Sequence, residues 1–263
     1  MKKNSKKRVL LSSVAMLMIG AVSLGTATYA WFTTDATPTA DGINVKTSKV
    51  STLLLSKSDK SDWKTHIDYG VKNDDDTAKE MFPTSSGDGV NWFAGNAKDG
   101  DGTLDTSKDL TDVTGDANYI YTEQLNIWNA GATAMNGVKI TFSLAGTNSQ
   151  YARVALVPAD ADGKALTTVA YTGQKIGFTN CIFAKADENV NYKPIISTKG
   201  TEGAEIKPST TYEVLVGDMD MDAYAYYNLY VWFEGQDKDC KDALSGQGIP
   251  ALSFQVEGTA AEE

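Results

Sequence analysis

Polar and apolar residues alternate with a period of two along much of this chain, whereas helical periodicity is nearly absent. The clearest run covers residues 119–129, and a second run covers residues 138–145 after a break at Asn129-Ala130-Gly131. Alternation over this length is typical of β-strands that bury one face. We therefore predict that these two runs form an antiparallel pair.

Further segments of the same kind predict a protein built mostly of short strands. Residues 223–234 are apolar in both alternating sets of side chains, which predicts a central strand with both faces covered. Val50, Leu53 and Leu55 are candidate core residues near the start of the fold. The other predicted strands are residues 43–47, 51–56, 151–157, 166–171, 180–184, 192–197, 210–216 and 249–257.

About ten strands separated by turn signals predict an all-β fold, and they favour an antiparallel, jelly-roll-like β-sandwich over a barrel. Residues 31–263 are long enough to form one such domain. Residues 57–118 interrupt the alternation with a stretch rich in Asp, Gly, Lys, Ser and Thr. This stretch predicts a long, loop-rich, irregular insertion with a short helix near residues 77–81.

The first thirty residues have the pattern of a secretory signal peptide. Five basic residues lie within the first eight positions, an apolar run extends from residue 9 to residue 27, and Thr28-Tyr29-Ala30 precedes Trp31. This order is typical of a charged region, a hydrophobic region and a cleavage site. We predict that residues 1–30 are removed and that the protein is secreted to the extracellular matrix or cell surface. The alternative is a retained membrane anchor, because the apolar run is about as long as a spanning helix.

The charge balance is acidic. The chain has 24 Lys and Arg against 34 Asp and Glu, a net charge of −10. Residues 1–30 hold five basic and no acidic residues, so the remaining chain carries about −15. Such a charge repels nucleic-acid phosphates and anionic lipid head groups. We expect no nucleic-acid partner and, after signal cleavage, no membrane partner.

Cys181 and Cys240 are the only cysteines of the chain. An even number of cysteines in an exported protein is compatible with a disulfide. A bond between them would close a loop of about 60 residues and stabilise the fold by roughly 4 kcal/mol in the chain-entropy treatment. Two separate thiols are the alternative.

The residues around the predicted cleavage site are similar to those of a known family. The junction Tyr29-Ala30-Trp31-Phe32, followed by Asp41-Gly42-Ile43-Asn44-Val45, resembles the opening of the TasA/camelysin group of secreted bacterial proteins. Residues 125–131 and 230–237 resemble the strand pattern of TasA-like surface proteins from Gram-positive anaerobes. The resemblance implies a secreted jelly-roll sandwich that assembles by self-association into extracellular matrix fibres.

Fibres of this family are held by donor-strand exchange, in which the N-terminal segment of one subunit completes the sheet of the next. The resemblance assigns this role to residues 31–40, within a possible donor strand of residues 31–42. Because Pro38 lacks a main-chain N–H, it limits the paired length or lies on the outer edge. A flexible terminus is the alternative. Five residues of the segment favour extended structure and pairing with an open sheet edge, namely Trp31, Phe32, Thr33, Thr34 and Thr37.

Part of the family is metalloprotease-like, and such an activity would need a catalytic zinc site. Catalytic zinc usually takes three protein ligands, mostly His, whereas this chain has one histidine, His66, and no His-Glu-x-x-His motif. His66 is also the only ordinary base for a Ser or Cys nucleophile. The chain has no Gly-x-Ser-x-Gly elbow, Walker loop or dinucleotide fingerprint. We predict that the protein is not an enzyme.

The acidic turn at residues 99–105 is a candidate calcium site. Asp99, Asp101 and Asp105 occupy positions 1, 3 and 7 of a glycine-containing loop, and a hard cation prefers such oxygen ligands. The match to a calcium loop is partial, because Leu104 stands where the turn glycine is expected and Leu110 where a bidentate Glu is expected. An exposed acidic turn is the alternative. We expect no cofactor other than calcium.

Aromatic residues in the insertion are candidate sugar-binding platforms, since ring faces stack on the apolar faces of sugars. Trp63 and Trp92, with the adjacent Phe93, lie outside the clear strands. The alternative is that they anchor the insertion onto the sandwich.

The sequence therefore predicts a secreted, non-catalytic subunit of a surface or biofilm-matrix fibre. A monomeric adhesin or carbohydrate-binding module, with matrix polysaccharide as partner, is the alternative. A camelysin-like metalloprotease is the third hypothesis.

Overall fold

The computed structural model describes residues 53–64, 69, 80–95, 103–145, 150–168, 176–184, 192–206, 212–240, 247–248 and 251–261. All of them belong to one unit, Ala40–Glu263. The predicted signal peptide, the predicted donor strand and the predicted strand at residues 43–47 lie outside the described residues.

The described residues contain twelve β-strands and almost no helix, so the predicted all-β class is confirmed. Its one helical element in these ranges is a short 3₁₀ helix, Phe178–Cys181. The twelve strands are β1 (Leu53–Ser56), β2 (Glu80–Met81), β3 (Phe93–Ala94), β4 (Thr111–Asp112), β5 (Tyr121–Asn129), β6 (Met135–Ala145), β7 (Ala152–Ala159), β8 (Ile182–Ala184), β9 (Glu213–Met219), β10 (Tyr224–Phe233), β11 (Gln247–Gly248) and β12 (Ala251–Ala260).

The longer strands form two antiparallel sheets in a sandwich-like arrangement. One has five strands in the order β1-β5-β10-β7-β8, and the other has three in the order β12-β6-β9. Their facing sides form a shared hydrophobic core. Phe142 of β6 and Phe183 of β8, which come from different sheets, meet edge to face with ring centroids 5.0 Å apart. The alternation seen in the sequence therefore buries one side of each sheet against the other.

Strand β10 is the middle strand of the five-stranded sheet, as its apolar sequence predicts. It pairs with β5 on one side and β7 on the other. Leu229 and Val231 point into the core between the sheets and are fully buried. On the opposite side of the strand, Trp232 is also fully buried, because another part of the chain covers it.

Parts of the predicted insertion cover one half of the outer face of the five-stranded sheet. Strand β3 pairs with β4, and β2 pairs with β11. Trp92 packs edge to face on Trp232 with ring centroids 5.1 Å apart. The covering residues form a second hydrophobic cluster with the sheet. Trp92, Ala94 and Val113 belong to the insertion, whereas Ile120, Tyr192 and Ile206 come from later parts of the chain.

The predicted antiparallel pairing of residues 119–129 with residues 138–145 is wrong. Strand β5 belongs to the five-stranded sheet and β6 to the three-stranded sheet. The side-chain amide of Asn129, at the end of β5, donates hydrogen bonds to the main-chain oxygens of Thr133 at 2.9 Å and Asp220 at 3.0 Å. These bonds tie the end of β5 to the following turn and to the segment after β9, so the chain crosses between sheets here.

Further predictions differ from the structure. Residues 166–168, the described part of the strand predicted at residues 166–171, form no strand, and residues 180–181 of the strand predicted at residues 180–184 belong to the 3₁₀ helix. Residues 192–197 form single bridges, Tyr192 with Ile206 and Ile195 with Glu202, in place of a strand. At residues 80–81 the structure has a short strand where a helix was predicted. Strand β9 begins three residues later than predicted and extends to Met219. Within the described part of the chain, no helix has the length and apolar character needed to cross a bilayer.

Candidate functional site

Strands β5 and β10 place aromatic side chains on the half of the outer face that the insertion leaves uncovered. Trp128 lies opposite Tyr224 in the register of these strands. Ile127 and Tyr227 point into the core. Because side chains alternate along a strand, Trp128, Tyr224 and Tyr226 point outward.

Trp63, Trp128, Tyr224 and Tyr226 form a continuous group that we call the aromatic strip. Trp63 meets Trp128 and Tyr224 edge to face, with ring centroids 5.5 and 5.6 Å away. The rings of Trp128 and Tyr224 are parallel to within 5° at 5.6 Å, and those of Tyr224 and Tyr226 are parallel to within 5° at 6.2 Å. Tyr224 is 43% exposed, and the other three are half-buried.

Asp222 fixes one end of the aromatic strip. Its main chain is left-handed, with φ of 60°, a conformation that Asp tolerates better than most side chains. The indole N–H of Trp128 donates to Asp222 Oδ1 at 2.8 Å, which fixes the plane of this ring. The pKa of Tyr224 is raised, first by partial loss of hydration and then by the negative charge of Asp222.

The other end of the strip is bordered by Lys60 and by the turn after β7. The Lys60 ammonium lies over the Tyr226 ring, 4.9 Å from its centroid, and donates to the main-chain oxygen of Ala161. Asn228 Nδ2 donates to the main-chain oxygen of Gly163 at 2.8 Å. These contacts hold the turn against the outer face of the sheet.

Gly163 allows this close approach of the turn. Its φ is 80°, and a Cβ at this position would lie 2.2 Å from Gln124 Nε2. A larger residue would be strained at this φ and would have to displace the end of the Gln124 side chain.

A buried acceptor lies beside the strip. Asn126 is opposite Tyr226 in the register of β5 and β10 and is fully buried. Its Nδ2 donates to Ser56 Oγ and to Lys57 O. Its Oδ1 accepts no hydrogen bond from the described residues.

Of the two predicted sugar-contacting residues, Trp63 lies in the aromatic strip and Trp92 does not. Trp92 is 2% exposed and contacts Trp232, Phe178 and Tyr230. It therefore offers no surface to a ligand, and it anchors the insertion onto the sheet, as the alternative proposed. The sequence analysis predicted that both faces of residues 223–234 are covered, which is wrong at the exposed Tyr224. It assigned no binding role to Trp128, Tyr224 or Tyr226, although the two-residue spacing of the tyrosines was the available signal.

Only one member of the candidate calcium site lies within the described residues. Asp105 Oδ1 accepts hydrogen bonds from the Ser107 hydroxyl and main-chain N–H, and Lys108 Nζ lies 3.0 Å from Oδ2. The Ser107 hydroxyl is the main cause that lowers the pKa of Asp105 to about 2. Asp99 and Asp101 lie outside these residues. The described ranges contain no group of three or more His, Cys, Asp or Glu side chains able to hold a metal ion.

The two cysteines lie in different hydrophobic clusters and are not bonded to each other. Both are buried. Burial raises the pKa of the Cys181 thiol to about 11. Of the two possibilities left by the sequence, the structure has two separate thiols.

Several predicted site residues lie outside the described part of the chain. They are His66 and the donor-strand residues Trp31, Phe32, Thr33, Thr34 and Thr37.

A buried charged group, which the sequence analysis did not predict, connects β7 to the segment after β10. Arg153 is fully buried, and its Nη2 lies 2.7 Å from Asp237 Oδ2. Burial raises the pKa of the neighbouring Glu234, although the positive charge of Arg153 opposes that shift. Glu234 accepts a hydrogen bond from the Trp232 indole N–H at 2.9 Å. The contacts are internal and support a structural role.

The three-stranded sheet ends at a long edge strand. Strand β12 spans ten residues and pairs with β6, and within the described ranges no strand pairs with its other edge. Leu252, Phe254 and Val256 on its inner face are buried in the core. The strand is therefore held in place by packing, and among the described residues no strand pairs with its second row of main-chain groups, an arrangement to which another strand can add.

In comparisons with known proteins, no family model and no curated protein matches this chain.

Proposed function

We propose that this chain is a secreted, non-catalytic structural protein, the subunit of an extracellular surface or biofilm-matrix fibre. Subunits join by strand exchange, in which residues 31–40 of one copy pair with a sheet edge of the next. The observation that carries the proposal is the outer edge of β12, a ten-residue strand with one partner strand in the described part of the chain.

The length of this edge fits the proposed donor. Residues 31–40 and β12 each contain ten residues, so the two segments match in length, and Pro38 either limits the pairing to the residues before it or lies on the outer edge. Each main-chain hydrogen bond in such a ladder contributes about 1 kcal/mol net, and alternate residues direct their N–H and C=O groups to the partner. Trp31 and Phe32 add apolar contact area that is lost from water on pairing.

The sheet arrangement supports a jelly-roll-like fold in this proposal. The two larger sheets together contain eight strands, the number found in a jelly roll. The signal-like residues 1–30 support secretion, and the acidic composition supports solubility outside the cell. The proposal needs no cofactor, and calcium at Asp105 remains a separate hypothesis.

Electron microscopy and sedimentation of the protein collected from the culture medium test this proposal. We expect filaments whose length rises with protein concentration. Deletion of residues 31–40 with the leader retained should abolish them. A matched pair of variants isolates the role of main-chain pairing: Thr33→Pro with Thr34→Pro removes two N–H donors, whereas Thr33→Ala with Thr34→Ala keeps them.

The proline variant should remain monomeric and the alanine variant should assemble. Filaments that persist after the deletion would show that strand exchange is wrong, and a monomer at every concentration would show that the fibre proposal is wrong. Hydrogen exchange adds a local readout, because assembly should protect main-chain amides along the outer edge of β12.

The alternative function, a monomeric adhesin or carbohydrate-binding module, is favoured by the aromatic strip. The third hypothesis, a camelysin-like metalloprotease, predicts peptide cleavage that a chelator abolishes. A cleavage assay on the secreted protein with and without a chelator tests it directly.

A further inference from the structure

The aromatic strip is partly exposed, although the same sheet face is fully covered next to it. Trp232 is fully buried and packs against Trp92 of the insertion and against Phe178, whereas Tyr224, on the same face of the same strand, is 43% exposed. Contiguous apolar surface left in water on an otherwise well-packed protein marks a binding surface for a ligand or partner. The ring geometry, charges and polar groups of the aromatic strip indicate which ligand it binds.

The ring geometry disfavours a cation held between the rings. The four rings contact one another at centroid distances of 5.5–6.2 Å, so no space remains inside the group. The strip therefore offers only its outer surface. Because the Trp63 ring is inclined by 61–64° to those of Tyr224 and Trp128, this surface suits a chain of small linked rings, each with its own flat face, better than one large flat ligand. Pyranose rings present such a flat face of C–H groups, and polysaccharides repeat it along their length.

The charges at the strip disfavour an ionic ligand. Lys60 lies at one end and Asp222 at the other, and their opposite charges largely cancel. The rest of the chain is acidic, with a net charge of −10, so an anionic polymer would be repelled on approach. A neutral polymer has no such penalty.

The polar groups at the rim match sugar hydroxyls. Asp222 accepts the indole N–H of Trp128 through Oδ1, and a carboxylate has further lone pairs with which to accept hydrogen bonds. The phenol of Tyr224 both donates and accepts. Since the left-handed main chain of Asp222 and the hydrogen bond to Trp128 fix these groups before a ligand arrives, binding orders few side chains.

We propose that the aromatic strip, Trp63, Trp128, Tyr224 and Tyr226, binds a neutral polysaccharide whose sugar rings stack on the aromatic rings. The site does not depend on strand exchange, and it gives the protein a second function as a glycan-binding surface. In a fibre, repetition of the strip along the filament would multiply a weak contact into strong attachment.

The test uses the secreted full chain and three insoluble neutral polymers, cellulose, chitin and β-1,3-glucan, in pull-down assays. Titration with cellohexaose and chitohexaose follows tryptophan fluorescence. We expect retention on at least one polymer, about tenfold weaker in Tyr224→Ala and in Trp63→Ala, because each variant removes one stacking contact. Phe82→Ala is the matched control. Phe82 is 39% exposed and contacts Tyr119 at a centroid distance of 5.6 Å, away from the strip, so its loss should leave binding unchanged.

Circular dichroism and thermal unfolding verify that the variants fold. Absence of binding to all three polymers would overturn the proposal, as would equal binding by wild type and Tyr224→Ala. Competition by soluble alginate, an anionic polymer, would overturn the neutral-ligand assignment. If Tyr224→Ala reduces self-association and no glycan binds, the occupant is a second copy of the chain. The double variant Thr33→Pro, Thr34→Pro separates the strand-exchange proposal from the glycan-binding proposal, since it should bind glycan without forming filaments.

Discussion

The strongest stability prediction concerns the ion pair of Arg153 and Asp237. Arg153 is fully buried and Asp237 is 8% exposed, with 2.7 Å between Nη2 and Oδ2. Asp237→Ala would remove the carboxylate that is paired with the buried guanidinium group and leave Glu234 as its neighbouring buried acid. We expect this variant to lose a large part of the free energy of unfolding.

The contacts of Arg153 narrow the loss of unfolding free energy that we expect for Asp237→Ala. Removing one member of a buried ion pair costs about 3–5 kcal/mol. Arg153 Nη1 would still donate hydrogen bonds to the main-chain oxygens of Gln150 at 2.9 Å and Ala152 at 3.1 Å. Its guanidinium carbon also lies 5.5 Å from the centroid of the Tyr192 ring. These remaining contacts place the expected loss near the lower end, about 3 kcal/mol.

The chain supplies a matched control for this variant. Lys199 and Asp109 also form an ion pair, at 3.0 Å, but their side chains are 74% and 70% exposed. Water screens an exposed pair, so Asp109→Ala should cost no more than about 0.5 kcal/mol. Urea unfolding followed by tryptophan fluorescence measures both losses, and repeating it at high salt should change the contribution of the exposed pair more than that of the buried one.

Two results would refute this reasoning. One is a loss below about 1 kcal/mol for Asp237→Ala, the level expected of an exposed pair. The other is an equal loss for the two variants, because burial is the main difference between the pairs. Asp237→Asn offers a further check. It keeps one oxygen that accepts hydrogen bonds and should therefore cost less than the alanine variant.

Three further predictions test burial, main-chain conformation and charge. Because the pKa of Cys181 is about 11, iodoacetamide near pH 8 should alkylate it slowly in the native protein and quickly in urea without reductant; mass spectrometry that finds no alkylation in urea would contradict separate thiols. Gly200→Ala should cost about 1–3 kcal/mol more than Gly115→Ala in urea unfolding. Both have positive φ, 67° and 81°, but only at Gly200 would a Cβ approach a main-chain oxygen, to 2.2 Å, so equal losses would contradict the predicted clash. The hydrogen bond from Ser107 lowers the pKa of Asp105 from 3.8 to about 2, so its stabilising effect is present above the upper value and is lost as pH falls through the lower one. Asp105→Asn should therefore flatten the dependence of unfolding free energy on pH in that window, and an unchanged slope would argue against this assignment.

The alternation of polar and apolar residues predicted strand positions well where the burial of a strand matches its own pattern of apolar residues. Strands β5, β7 and β10 begin and end within two residues of the predicted segments. Each of them has buried residues at alternate positions or on both faces, and this burial is what the pattern of apolar residues encodes. The predicted strand at residues 192–197 failed because its burial comes from loops and single bridges.

The candidate site was predicted in part. Trp63 was chosen because it lies outside regular strands, and it is indeed partly exposed. The same argument chose Trp92, which is buried under a neighbouring part of the chain. Exposure depends on what packs against a side chain, and neighbours distant in sequence leave no local signal. The same holds for Arg153, whose partner Asp237 follows 84 residues later.

The sequence by itself determined the all-β class, the central position of β10 and the residues that face the core, because a period of two in apolar residues has a direct physical meaning for a strand with buried faces. Only the tertiary structure decided that β5 and β6 lie in different sheets, that one half of the outer face is covered, and that four aromatic side chains meet on the other half. These outcomes depend on which strand edges pair and which loops fold back. The alternation of residues along a strand is the same whichever strand pairs with it, so it carries no information about which edges pair or which loops fold back.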